Sequence, residues 1–126
     1  IAELLVEELN MRKIRSHMIG IDQGTLNLFS DFDTDGEMWT GEGPRERKHH
    51  VQFSETYLSP PAVTVGISLW DLDANTNPRM DISAVDVTET GFTAVFRTWS
   101  DTRVARIRMS WQSIGQVGDP DDAWVL

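Results

Sequence analysis

Six short apolar or alternating runs, separated by clusters of Gly, Pro, Asn and Asp, fill this chain from residue 21 onward. That punctuation constrains the fold more than any other feature. Runs of five to nine residues at this spacing are too short for helices and are the signature of strands in an antiparallel sandwich. The expected strands are 25–29, 49–53, 62–69, 79–87, 92–99 and 104–111. The intervening breaks include Ser59-Pro60-Pro61, 71–78, Glu89-Thr90-Gly91 and Ser100-Asp101-Thr102. In the last run Ala105, Ile107, Met109 and Trp111 alternate with Val104, Arg106, Arg108 and Ser110, as a half-buried strand requires. The run from Arg79 changes phase. Met80, Ile82 and Ala84 share one side, Val85 and Val87 the other, which predicts a bulge or bend near Ala84.

Residues 1–19 have a different texture. They lack Gly and Pro, and Leu4, Met11 and Met18 fall seven apart with Ile14 between them. The spacing predicts a helix, either packed on its own domain or ending an oligomeric coiled-coil stalk. Glu7 interrupts the seam, and a helix this short is not stable alone. The expected organisation is a stem over 1–20, a sandwich over 21–118 and an acidic tail over 119–126, with Trp124 as its anchor.

At 126 residues the chain is one domain's worth, long enough to bury about two-thirds of its unfolded surface. Eleven Lys and Arg against 20 Asp and Glu give a net charge of -9. That balance argues against nucleic acid and anionic membranes as partners, since both need concentrated basic surface. With no cysteine, disulfides and thiolate chemistry are excluded. No apolar run approaches a membrane span, and no secretory leader is evident. The first residue is Ile, as expected of a processed or partial chain.

Four groups of residues carry potential chemistry. Asp31, Asp33, Asp35 and Gly36, followed by Glu42, match the spacing of an EF-hand calcium loop. The flanks do not, because Gly43-Pro44 stands where a helix should begin, so a solvated acidic loop is the expected reading and calcium the alternative. His49 and His50 are adjacent on a strand and point to opposite faces, with His17 distant, a poor zinc set. Asp71, Asp73, Asp81 and Asp101 lie near strand ends, but a small sandwich offers little room for a glycosidase cleft, and no phosphate-binding Gly loop is present. The fourth group suits sugar. Thr98-Trp99-Ser100-Asp101-Thr102 places an aromatic among polar groups at a turn, and Arg79 opens another strand after a polar loop. If the chain runs up and down there, both sit at one end of the sandwich.

The blocks Val51-Gln-Phe53, the run from Pro60-Pro61, Asp73, Arg79-Met-Asp-Ile, Thr90-Gly91-Phe92, Thr98-Trp99-Ser-Asp-Thr102 and Ser110-Trp111-Gln-Ser-Ile114 occur in the order found in one family. Over about 51–115 the chain resembles the H-type lectin domain of snail agglutinins and the discoidin C-terminal domain. The resemblance implies an all-β, six-stranded antiparallel sandwich, assembled as a homotrimer often doubled to a hexamer. It implies no enzyme activity and no cofactor. It also implies sites at subunit interfaces for terminal galactose or N-acetylgalactosamine. Arg79 matches the family's hydrogen-bonding arginine and Trp99 its sugar-contacting tryptophan. Ser100, followed by Asp101, stands where the snail lectin has histidine, and Glu42 beside Gly41 matches the acidic partner. The role implied is multivalent attachment to glycans at a cell or phage-like surface. A structural head or trimerisation domain of a fibre, without sugar binding, is the alternative.

Overall fold

A computed structural model describes residues 11–15 and 17–120. Six strands form as the punctuation predicts: β1 (Ile19–Ser30), β2 (Arg45–Gln52), β3 (Ala62–Leu72), β4 (Asp81–Val85), β5 (Gly91–Thr98) and β6 (Val104–Gln116). Two short helices, α1 (Asp31–Thr34) and α2 (Glu37–Thr40), fill the β1–β2 connection. The strands make two antiparallel sheets of order β1-β6-β3 and β2-β5-β4.

Alternation on the two central strands builds the core. Phe92, Ala94 and Phe96 of β5 face Ile107 and Met109 of β6, all buried. Phe29 meets Phe96 edge-on with ring centres 5.3 Å apart, and Phe92 meets Trp111 at 5.6 Å. Such edge contacts suit the ring quadrupoles and add to the burial itself. Ser113 lies in this inner row near the far end, where its hydroxyl shares a 2.7 Å bond with Tyr57.

Three connections cross between the sheets at one end: β1–β2 through the helices, β3–β4, and β5–β6. The opposite end holds the β2–β3 loop, the β4–β5 turn and the start of β1. Arg79 and Trp99 therefore do lie at the same end.

Two expectations require correction. The predicted N-terminal helix is absent from described residues 11–15, 17 and 18, and Ile19 already begins β1; residues 1–10 and 16 lie outside the described residues. Ile19, Ile21 and Gln23 pair outward on β6 with Gln116, Ile114 and Gln112, so a two-residue period prevails over the seven-residue one. No bulge occurs at Ala84, because β4 pairs with β5 in unbroken register. The phase change is instead the strand's end, where Asp86 turns left-handed at φ 52°. Register shifts fall in β1 between Asn27 and Phe29 and in β3 between Ile67 and Leu69. The acidic tail beyond Pro120 lies outside the described residues.

Candidate functional site

The crossing end is organised by one buried cation. Arg45 opens β2 and is 7% exposed. Its guanidinium donates to the carbonyls of Gly43, Glu37, Met38, Ser100 and Thr102, at 2.8–3.3 Å. Five acceptors around one planar fork use the full donor set of arginine. They lock α2, the 41–44 segment and the β5–β6 connection together. Gly43 reinforces the link by donating its N–H to the Ser100 carbonyl at 2.9 Å.

The segment before β4 is fastened to the same connection. Buried Thr98 donates to the Arg79 carbonyl at 2.6 Å, and buried Thr102 to the Asn77 carbonyl at 2.5 Å. Between those pins the Arg79 guanidinium binds Asp101 Oδ1 through Nη1 at 2.5 Å. Its Nε and Nη2 make no further bond among the described residues. Ser100 takes a left-handed backbone, φ 61°, which turns the chain sharply enough to leave Trp99 42% exposed.

Trp99 lines a shallow groove of about 370 Å³ with Pro44, Arg45, Glu46, Arg97 and Thr98. Arg97 lies opposite Glu46 and Asp81 in register, and it pairs with their carboxylates at 3.3 and 3.8 Å. Arg79 and Asp101 do not line this groove, whose polar groups are the Arg97–Glu46 pair and Arg45. An exposed indole beside such groups suits a neutral, hydroxyl-rich ligand, whose apolar face stacks while its hydroxyls bond.

All six residues expected from the sequence thus lie at one end. Arg79 and Asp101 are in contact, Trp99 and Ser100 form the turn, and Gly41 and Glu42 immediately precede Gly43, which bonds to that turn. The block from Thr98 to Thr102 is not a hairpin within one sheet, as it crosses from β5 to β6 between sheets. Arg45 was not legible as a functional residue. It follows Gly43-Pro44 in a stretch read as loop, and nothing local marks an arginine that will bind carbonyls rather than water.

The acidic loop does not form a calcium cage. Asp31 is buried and accepts from Arg47 on both oxygens, at 3.3 and 2.8 Å, and from the Met38 N–H at 3.0 Å. Asp33 accepts from the Ser30 hydroxyl. Among the described residues no three His, Asp or Glu side chains form a metal-binding group. The acidic loop is therefore not simply solvated either, since its first carboxylate anchors α2 and β2. His17, His49 and His50 are all exposed.

Comparison with known proteins agrees with this architecture. The family model for the H-type lectin domain matches residues 48–114. A relative from Fuscovulum blasticum, named ATP synthase subunits region ORF 7, is 54% identical over 104 residues, spanning 82% of this chain and 90% of that protein. Recombinant discoidin II of Dictyostelium discoideum superposes with a TM-score of 0.70 at 20% identity over 86% of this chain. Wild-type discoidin II gives 0.69 at 21% identity over 83%. The chain spans 41% and 40% of those two discoidin II chains, and at such identity the likeness concerns the fold. With more than half its length matched by the family model and its two sheets arranged as in discoidin II, the chain belongs to the H-type lectin domain family, a family of carbohydrate-binding domains rather than enzymes.

Proposed function

We propose that this domain recognises terminal galactose or N-acetylgalactosamine through the crossing end. Trp99 stacks on the apolar face of the sugar. The free Nε and Nη2 of Arg79 donate to hydroxyls, and the second oxygen of Asp101 accepts from them. Ser100 lines the turn, and Glu42 with Gly41 supplies the far wall from the β1–β2 connection. The observation that carries this reading is the Arg79–Asp101 pair, fastened by the pins from Thr98 and Thr102 to the connection that also carries the exposed Trp99. Ser100 is smaller than histidine and offers one hydroxyl, which favours tolerance between galactose and its N-acetyl derivative.

So shallow a site implies weak single-copy affinity, and multivalency compensates without new contacts. Assembly as a homotrimer or hexamer supplies it. The pole opposite the groove supports self-association, with Ile14, Ile19, Ile21, Leu58 and Ile114 all at least 39% exposed there. The setting this reading favours is attachment at an extracellular, cellular or phage-like surface. A glycan array identifies the sugar, with Arg79→Ala and Trp99→Ala as controls. A signal confined to galactose-type termini and lost in both variants supports the proposal. The absence of any signal from the assembled protein favours the structural head domain instead, a reading helped by Asp101 already engaging one arm of Arg79.

A further inference from the structure

A second recess combines aromatic and ionic groups away from Trp99. It lies between α1–α2 and strands β3 and β6, encloses about 280 Å³ and is lined by Phe32, Asp33, Trp39, Asp71, Ala105 and Arg106. Nothing in the Trp99 groove is shared with it.

The aromatic wall is fixed. Phe32 stands edge-on to Trp39 with centres 5.2 Å apart and remains 55% exposed. Trp39 is held from behind by Arg103, whose guanidinium lies 4.2 Å from the ring centre. Arg103 also donates to the Trp39 carbonyl at 2.8 Å and pairs with Asp73 at 3.0 Å. A platform immobilised in this way loses little entropy when a ligand stacks on it.

The ionic wall is half used. Arg106 donates Nε and Nη2 to the same oxygen of Asp71, Oδ2, at 3.2 and 2.8 Å. Asp71 Oδ1 and Arg106 Nη1 therefore have no partner among the described residues. An acceptor and a donor on one ion pair match two vicinal hydroxyls, each of which both donates and accepts. Asp33 adds a further carboxylate, so the lining holds two negative charges against one positive, which disfavours anionic sugars.

We propose that this recess is a second saccharide subsite, separate from the Trp99 groove, taking an uncharged hexose that stacks on Phe32 and bonds Asp71 and Arg106. The choice of ligand class rests on the carbohydrate-binding reading, while the site rests on its own geometry.

Two indole N–H signals report the two sites separately. Methyl β-galactoside, methyl β-glucoside and glucuronate are each titrated into isotope-labelled protein to about 100 mM, and the Trp39 and Trp99 resonances are followed. The proposal expects saturable movement of Trp39 with at least one neutral glycoside and none with glucuronate. Phe32→Ala and Asp71→Asn should each weaken that response at least about tenfold and leave the Trp99 response intact. A Trp39 signal that stays still while Trp99 moves overturns the subsite and spares the main groove. Movement of Trp39 alone upholds the subsite and counts against the Trp99 reading. Equal response to glucuronate, or full response in both variants, overturns the subsite.

Discussion

A single arginine, Arg45, holds the crossing end together. Replacing it by Ala takes a donor from each of five carbonyls, of which those of Glu37 and Ser100 keep the backbone N–H groups of Gly41 and Gly43. We expect Arg45→Ala to cost about 3 kcal/mol of stability, measured by urea unfolding. Asp31 plays the corresponding role for the helices, joining Arg47 and the Met38 N–H. Because its oxygens are already engaged, calcium should leave the melting temperature unchanged. A rise with Ca²⁺ that a chelator reverses contradicts that assignment. The composition of this loop was legible but its chemistry was not. Spacing alone cannot distinguish carboxylates that converge on a metal from one that turns inward to an arginine sixteen residues later.

At the scale of elements, the β5–β6 connection sets the geometry of the groove. Ser100 holds a left-handed backbone that a β-branched residue adopts only under strain. Ser100→Val should lower stability by about 1–2 kcal/mol, whereas Ser100→Gly should match or exceed the native protein in the same thermal melt. Equal melting temperatures for the two variants would show that the turn relaxes in solution. All six strands were legible because turn residues interrupt them and core residues alternate along them. The start of β1 was not. By its neighbours Ile19 ends the helical run, yet it also begins a two-residue alternation with Ile21, and only their pairing with Gln116 and Ile114 across β6 decides between the two. The contraction of the run from Arg79 to β4 has a similar cause, since both its ends are fixed by contacts from β5 and its connections rather than by local propensity.

For the whole molecule, the proposed sugar site and the proposed self-association surface lie at opposite poles. Polar crossings gather Arg79, Trp99 and Asp101, while exposed isoleucines gather where β1 begins. Sedimentation should show a trimer or hexamer, and Ile21→Asp combined with Ile114→Asp should shift it toward monomer while preserving the sheet spectrum. A native protein that sediments as a monomer at micromolar concentration would remove the basis for multivalent binding. The net charge of -9 fits a neutral ligand in this arrangement, with carboxylates such as Glu46 and Asp81 paired locally with Arg97 and Lys48. The central claim is that Trp99 and Arg79 grip a neutral sugar. Calorimetric titration of the assembled protein with N-acetylgalactosamine and galactose, beside the Trp99→Ala variant, tests it most directly. The account predicts a dissociation constant on the order of a millimolar for the native protein with at least one of the two sugars, and no measurable heat for the variant. Equal binding by both proteins, or none by the native oligomer, would contradict it.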